Sequence, residues 1–290
     1  MRIQYLDSNT KQNLLENLLK RSPNQYGEYE KAVSEILNRV KEEGDSALFA
    51  YTEKFDQAHI DAEGIQVTEE EIKEAYEAVK PELLEIIRKA LRNIEDYHKK
   101  QLQYSWFDSK PNGVLLGQKV SALASVGVYV PGGKAAYPSS VLMNVIPAKV
   151  AGVGKIVMTT PCGRDGKVNP ATLAAADLAG VDEIYKAGGA QAIAALAFGT
   201  ESIPKVDKIV GPGNIYVALA KKSVFGHVSI DSIAGPSEIL VLADETANPR
   251  YVAADLLSQA EHDELASAIL ITDSEALAAQ VSAEGDKFTE

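Results

Sequence analysis

The pattern of apolar and polar residues divides the chain into two parts. Up to about residue 112, apolar residues recur at helical spacing on otherwise charged segments. A short stripe covers residues 14–19, and the longest stripe comprises Ala32, Val33, Ile36, Leu37 and Val40. Thr68 and Glu71 have the spacing of a capping box, and Pro81 is typical of the first turn of a helix. The first part is therefore predicted to be helical and to pack on the rest of the protein.

From about residue 121 the pattern changes to short β-branched runs that alternate with alanine-rich helical segments. Six runs have the composition of buried strands: SVGVYV, KIVMTT, VDEIYKA, VDKIVG, SEILVLAD and AILITD. Buried strands that alternate with helices indicate parallel βαβ crossovers, with helices on both faces of a sheet. The sequence therefore predicts an α/β protein, in which the six strands form either one sheet or two related halves.

Charge and composition narrow the class of partner. A net charge of −12 over 290 residues argues against nucleic acid and against an anionic membrane surface. No run approaches the roughly 20 apolar residues that a membrane-spanning helix needs, and no signal peptide is visible. A single cysteine, Cys162, excludes an internal disulfide and fits a reducing compartment. We therefore expect a soluble cytoplasmic protein without nucleic-acid or membrane partners.

Glycine-rich loops beside the predicted strands are candidate ligand sites. The loop PGGKAAYPSS follows SVGVYV and leads into a helix, a position where backbone amides and the helix dipole favour an anion. Tyr129, at the end of that strand, is expected to face the crevice where open α/β sheets bind ligands. The alternative is a plain strand-to-helix turn, because no strand is followed by the dinucleotide-binding pattern GxGxxG.

Two further loops carry amide side chains. AGGAQA places two glycines after a short strand and then Gln191 at a helix entry, where its amide could contact a ribose or a nicotinamide. The alternative is that the glycines only permit tight packing of strand and helix. In GPGN, Asn214 stands at another helix entry. The expected role of Asn214 is that of an N-cap, which is compatible with a ligand contact.

The segment whose side chains are best suited to bind a metal is SQAEHD, within a helix predicted over residues 249–266. Gln259 and His262 are three residues apart, so on a helix they share one face. An imidazole and an amide oxygen can both bind zinc, but two ligands do not make a zinc site. A zinc hydrolase would need further ligands and an acidic base that the sequence does not provide. Ser237 precedes a strand without the G-x-S-x-G pattern of a nucleophilic serine, so it either binds a substrate or starts the strand.

Together these segments resemble the histidinol dehydrogenase family. The resemblance rests on five segments that follow one another in family order from Val126 to His262: VGVYVPGGKAAYPSSVLMNVIPAKVAGV, AGGAQAIAALAFGT, VDKIVGPGNIYVALAKKSVFG, SIAGPSEILVLAD and LLSQAEHD. The resemblance implies oxidation of L-histidinol through L-histidinal to L-histidine, the last steps of histidine biosynthesis. It also implies NAD and zinc as cofactors and a homodimer as the assembly.

The resemblance assigns roles to particular residues. The positions that match NAD-contacting residues of the family are Tyr129, Gln191 and Asn214. The positions that match substrate-contacting residues are Ser237, Gln259 and His262, of which Gln259 and His262 would also be zinc ligands. The implied fold has two incomplete Rossmann-like parallel-sheet domains after an α-helical N-terminal region. We expect approximate boundaries of 1–112 for the helical region, 113–235 for the NAD-binding domain and 236–290 for a partial second domain.

The chain departs from the family pattern at its end. The family's acid–base Glu-His pair, together with an Asp and a further His that complete the zinc sphere, would lie beyond Glu290. The only Glu-His dipeptide here is Glu261-His262, whose histidine is already assigned to zinc. We therefore expect a truncated form that holds no catalytic residue, binds zinc weakly and is inactive alone. The alternative is a non-catalytic nucleotide-binding or dimerisation module derived from that enzyme.

Overall fold

A computed structural model describes residues 2–7, 10–12, 27–132, 137–233, 238–261 and 266–289. The chain forms two compact units, Glu28–Ile233 and Met1–Gly27 with Ala234–Glu290. The helices are α1 (Gly27–Glu43), α2 (Asp45–Asp56), α3 (Glu69–Ala78), α4 (Pro81–Lys99), α5 (Pro138–Val150), α6 (Pro170–Ala179), α7 (Gly189–Phe198), α8 (Ile215–Val224), α9 (Pro249–Ala260) and α10 (Glu275–Thr289). The strands are β1 (Trp106–Ser109), β2 (Leu115–Gln118), β3 (Ser125–Tyr129), β4 (Lys155–Thr160), β5 (Glu183–Lys186), β6 (Lys208–Val210), β7 (Ser229–Ile230), β8 (Glu238–Leu242) and β9 (Ser267–Ile271).

The larger unit is built on a five-stranded parallel sheet in the order β5-β4-β3-β6-β7. Numbered along the chain, this order is 3-2-1-4-5, which is the order of a doubly wound nucleotide-binding sheet without its sixth strand. The strand order reverses between β3 and β6, so the carboxyl ends of these two strands flank the crevice in which such sheets bind ligands. Strand β7 was not predicted, because a two-residue strand is too short to show a pattern.

Alanine-rich helices bury both faces of this sheet. In α7 every residue from 190 to 197 is buried, which accounts for the absence of a polar face in its sequence. A Cβ on Gly127 of β3 would lie 3.0 Å from both methyl carbons of Leu196, so this glycine lets α7 approach the middle of the sheet. The close approach of helix and strand fixes the start of α7 above the carboxyl ends of the strands.

The N-terminal helices belong to the same unit as this sheet. The predicted stripe on α1 is confirmed, since Val33, Ile36, Leu37 and Val40 are buried. The capping box is also confirmed: Thr68 Oγ1 accepts from the Glu71 amide at 3.2 Å, and Glu71 Oε2 accepts from the Thr68 amide at 2.9 Å. Pro81 occupies the first turn of α4, as predicted. The stripe predicted at residues 14–19 lies outside the described residues.

One element of the N-terminal part differs from the prediction. Strands β1 and β2 form an antiparallel hairpin, although residues up to 112 were expected to be helical. All eight residues of the two strands are exposed, including Trp106, Phe107, Leu115 and Leu116. Because apolar side chains stand on both faces, the sequence lacks the alternation by which a half-buried strand is identified.

The smaller unit contains a parallel pair, β8 and β9, covered by α9 and α10. Its core consists of Val252, Ala253, Leu256, Leu277 and Val281. The six predicted strands therefore form two separate parallel sheets, with four in the larger unit and two in the smaller. The α/β class with two incomplete Rossmann-like sheets is thus confirmed, while the predicted domain boundaries remain a proposal. Within the described residues, no helix is both long enough and apolar enough to cross a membrane.

Candidate functional site

Tyr129 ends the central strand of the larger sheet and lies almost entirely inside the protein, with 3% of its surface exposed. Its hydroxyl oxygen accepts a hydrogen bond from the Gly189 amide at the start of α7, at 3.1 Å. Burial raises the pKa of the Tyr129 phenol to about 12, so the hydroxyl keeps its proton at neutral pH. The side chain thereby links the carboxyl end of β3 to the first turn of α7.

Gln191 lies two residues further along, still in the first turn of α7, and is 1% exposed. Neither its Nε2 nor its Oε1 has a hydrogen-bond partner among the described residues. A Cβ on Gly189 would lie 2.6 Å from Oε1, so the amide folds against the glycine whose N–H bonds to Tyr129. A buried polar group without a partner costs about 1–3 kcal/mol, and structures usually avoid this cost. The orphaned amide therefore identifies a place where a ligand could complete the hydrogen bonding.

Asn214 caps α8 on the other side of the strand-order reversal. Its Oδ1 accepts from the Val217 amide at 3.2 Å, which is the capping role expected from the sequence. The loop before it presses against the central strand: a Cβ on Gly211 would overlap the carbonyl oxygen of Tyr129. Gly211 has φ +117°, a conformation that favours glycine. The structure thus brings the loop that carries Asn214 to the same edge as Tyr129 and Gln191.

An ion pair between a buried lysine and a partly exposed aspartate holds that loop in place. Lys221 of α8 donates to a carboxylate oxygen of Asp231 and, at 2.8 Å, to the Gly211 carbonyl. The other carboxylate oxygen of Asp231 accepts from the Gly211 amide at 2.8 Å. Both backbone polar groups of Gly211 are therefore bound by one charged pair. Sequence reasoning missed this clamp, because Lys221 reads as part of a solvated KK dipeptide at a helix end.

The loops that follow β3, β4 and β5 pack side by side at the same edge. A Cβ on Gly132 would lie 2.7 Å from Pro161 Cγ, and a Cβ on Gly188 would lie 2.7 Å from Pro161 Cβ. These two glycines allow the backbones of three neighbouring loops to lie close together around Pro161. Cys162 beside them is buried, and burial raises the pKa of its thiol to about 11, so it is not a ready nucleophile.

Asp56 is a further residue at this edge that the sequence did not reveal. It is the last residue of α2, and a Cβ on Gly188 would lie 3.4 Å from its Oδ2. Oδ2 is buried and has no hydrogen-bond partner among the described residues. Burial raises the pKa of this carboxyl from 3.8 to about 6. No sequence signal marked it, because a charged residue at the end of an amphipathic helix reads as solvated.

The sequence of the chain matches the histidinol dehydrogenase family model over residues 19–290. The chain belongs to the histidinol dehydrogenase family. It is 60% identical over 266 residues to histidinol dehydrogenase from Clostridium acetobutylicum, covering 92% of this chain and 61% of that protein. It is 62% identical over 263 residues to histidinol dehydrogenase from Bacillus subtilis, covering 91% of this chain and 61% of that protein. The resemblance inferred from the sequence is thereby confirmed.

A solved structure gives the same result for the fold. The crystal structure of histidinol dehydrogenase from Elizabethkingia anophelis superposes with a TM-score of 0.81 at 41% identity. The match covers 99% of this chain and 61% of that one. The chain thus spans about 61% of the length of the histidinol dehydrogenases that it matches.

The residues expected to hold zinc in a histidinol dehydrogenase are only partly described. Gln259 is half-buried in the last turn of α9, in the smaller unit. That helix ends at Ala260, whereas the prediction extended it to residue 266. Ser237 and His262 lie outside the described residues, so the predicted shared face of Gln259 and His262 is not tested. Within the described ranges, no group of three His, Cys, Asp or Glu side chains is arranged to hold a metal ion.

The raised pKa of Asp56 leads to a prediction about pH. Because the folded state holds this proton more tightly than the unfolded chain, the free energy of unfolding should fall as pH rises between about 4 and 6. Asparagine at position 56 cannot ionise, so Asp56→Asn should not show this fall. The free energy of unfolding of the variant minus that of the wild type should therefore be about 1–2 kcal/mol larger at pH 7 than at pH 4, a figure that allows for solvent screening. Urea unfolding of both proteins at pH 4 and at pH 7 measures these free energies. The same difference between variant and wild type at the two pH values would contradict a raised pKa of the buried carboxyl.

Proposed function

We propose that this chain is the NAD-binding portion of a cytoplasmic, zinc-dependent histidinol dehydrogenase, which oxidises L-histidinol through L-histidinal to L-histidine. Family membership supports the reaction. The observation that supports an NAD site in the larger unit is the orphaned amide of Gln191, buried at the carboxyl edge of a 3-2-1-4-5 sheet. Open α/β sheets bind dinucleotides at that edge, where the strand order reverses.

The residues at this edge suit a dinucleotide. The amide of Gln191 offers both a donor and an acceptor in a site closed to water, which favours a ligand that carries both kinds of group. Glycines 132, 188, 189 and 211 let the loops at this edge pack closely against one another around the side chains that would contact the ligand. Tyr129 contributes a neutral phenol, and Asn214 stands at the head of α8 across the crevice, after β6. In this proposal these three side chains contact NAD.

In the same proposal the smaller unit contributes to the substrate site. Gln259 and His262 are proposed as zinc ligands, and Ser237, Gln259 and His262 as contacts to L-histidinol. Zinc would hold the substrate's nitrogens and polarise the reacting oxygen. A polypeptide of these 290 residues contains no further Glu-His pair for acid–base work. We therefore propose that it binds NAD but does not oxidise L-histidinol on its own.

Replacing Gln191 by methionine tests the NAD site. Methionine fills a similar volume without polar atoms, so the free energy of unfolding in the absence of ligand should stay equal or rise by about 1 kcal/mol. The affinity for NAD should fall at least about tenfold, because the ligand loses its hydrogen bonds to the amide. Calorimetric titration of NAD and urea unfolding on the same sample measure both quantities.

The combination separates a ligand contact from a structural role. If Gln191 had only a structural role, the Gln191→Met protein would be less stable than the wild type, and its folded form would bind NAD with unchanged affinity. Gln280→Met makes the same chemical change at an exposed position of α10 and should leave both quantities unchanged. Unaltered NAD affinity in Gln191→Met would contradict the proposed site.

The exposed hairpin supports the homodimer that we also propose. A two-stranded hairpin is marginally stable in water, and β1–β2 exposes large apolar side chains on both faces. We expect a second copy of the chain to cover it. The double variant Phe107→Ser with Leu115→Ser, which alters one face, should sediment as a monomer, whereas Asp108→Ser on the opposite face should still dimerise. A wild-type chain that sediments as a monomer at every loading concentration would contradict this assembly.

A further inference from the structure

The carboxylate of Asp56 has a position that the NAD site alone does not explain. Oδ2 is buried without a partner among the described residues, although a free carboxylate at the end of a helix could turn into water. The N-terminus of the same helix is fixed: the Asp45 amide donates to Glu201 Oε2 at 2.8 Å, and the Ser202 hydroxyl donates to Asp45. Helix α2 is thus anchored at its start and brings Asp56 inward at its end.

The topology places Asp56 over a particular part of the sheet. A Cβ on Gly188, in the loop after β5, would lie 3.4 Å from Asp56 Oδ2 and 2.7 Å from Pro161, in the loop after β4. In the 3-2-1-4-5 order, β4 and β5 are the second and third strands, whose carboxyl ends lie beneath the adenosine half of a bound dinucleotide. Asn214 stands on the opposite side of the crevice, after β6. Asp56 therefore lies on the adenosine side of the proposed site.

Doubly wound folds usually carry an acidic residue at the end of the second strand, where it binds the ribose 2′-hydroxyl. Strand β4 ends with Thr159 and Thr160, and Pro161 and Cys162 follow, so the expected position holds no carboxylate. Asp165, further along that loop, is exposed and accepts from the Lys167 amide at 3.1 Å, which closes a surface turn. The carboxylate that points to this place comes from α2 instead.

We infer that Asp56 accepts a hydrogen bond from the 2′-hydroxyl of the adenosine ribose and thereby selects NAD over NADP. This inference rests on the proposed NAD site. A hydroxyl donor supplies the partner that Oδ2 lacks, whereas a 2′-phosphate would place a second negative charge against a buried carboxylate.

Calorimetric titrations of NAD and NADP into the full chain test the assignment at pH 7.5, where the carboxyl is ionised. The wild type should bind NAD more tightly than NADP. Asp56→Asn should bind NAD roughly tenfold more weakly and NADP at least as tightly as before, so the preference should narrow by at least tenfold. Asp165→Asn removes the neighbouring surface carboxylate and should leave both affinities unchanged. Urea unfolding confirms that each variant is folded.

The outcomes separate the inference from the function on which it rests. If the wild type binds NAD and Asp56→Asn keeps the same ratio of NAD to NADP affinity, Asp56 does not select the cofactor, while the proposed site stands. An equal loss of both affinities in Asp56→Asn also overturns selection by the 2′ position. If the wild type binds neither nucleotide, the proposed function fails, and the role of Asp56 fails with it.

Discussion

Alanine at position 211 is expected to destabilise the larger unit by about 3–5 kcal/mol. Gly211 has φ +117°, and an added Cβ would overlap the Tyr129 carbonyl oxygen and lie 3.0 Å from its carbonyl carbon. Both obstacles belong to the backbone of a central strand, which cannot move aside as a flexible side chain would. The loop must shift instead and lose its bonds to Lys221 and Asp231. Chemical unfolding measures the cost, and NAD affinity should fall with it.

Gly226→Ala is the matched control for this variant. Gly226 has φ +107°, so alanine meets nearly the same backbone strain, but nothing lies within 4 Å of the added Cβ. The cost there should be about 1–2 kcal/mol, which is the strain alone. Equal costs for the two variants would show that Gly211 is needed only for its dihedral angles, and that the close packing of its loop against Tyr129 contributes nothing.

Removing the charge of Lys221 is expected to destabilise the same loop by a somewhat smaller amount. The Lys221 side chain is 3% exposed, and Lys221→Met leaves Asp231 with a partly buried charge that has lost its counter-ion. Because 32% of the Asp231 side chain is exposed, the cost should lie below that of breaking a fully buried pair, at about 2–3 kcal/mol. The Gly211 carbonyl also loses its donor, so the loop before Asn214 should loosen and NAD affinity should decrease.

The neighbouring lysine is a control for the same chemical change. Lys222 is 53% exposed and pairs with Glu30 at the surface, so Lys222→Met should cost less than about 1 kcal/mol. The double variant Lys221→Met with Asp231→Asn removes both charges and should recover part of the loss. If Lys221→Met were no more costly than Lys222→Met, the clamp would not stabilise the loop. Urea unfolding of the four proteins makes the comparison.

The sequence predicted those parts of the fold that depend on a periodic pattern of apolar residues or on a short local motif. Buried parallel strands need continuous apolar runs, and the helices that cover them need small residues, so β3 to β6 and α5 to α8 were predicted near their observed positions. Capping is equally local, which is why Thr68 and Glu71 were identified from spacing alone. The hairpin β1–β2 was missed because it buries nothing and shows no alternation.

The candidate site divides in the same way. Residues in glycine-rich loops after strands, such as Gln191 and Asn214, could be selected from the sequence because loop ends carry chemistry in α/β folds. Asp56 could not, because it reaches the site from α2, far along the chain, and only the packing of that helix decides where its carboxylate points. The Lys221–Asp231 clamp is likewise a product of tertiary structure. Contacts between residues that are distant along the chain produce no periodic pattern by which they could be predicted from one sequence.

The most direct test of an NAD site at the carboxyl edge of the larger sheet is a residue-resolved titration. NAD is added to the ¹⁵N-labelled chain, and the backbone amide resonances are followed by NMR. We predict that the largest shifts occur at Gly188, Gly189 and Gly211, with a change in the side-chain amide of Gln191 as it gains partners. Shifts confined to other parts of the chain, or none at saturating NAD, would contradict the site.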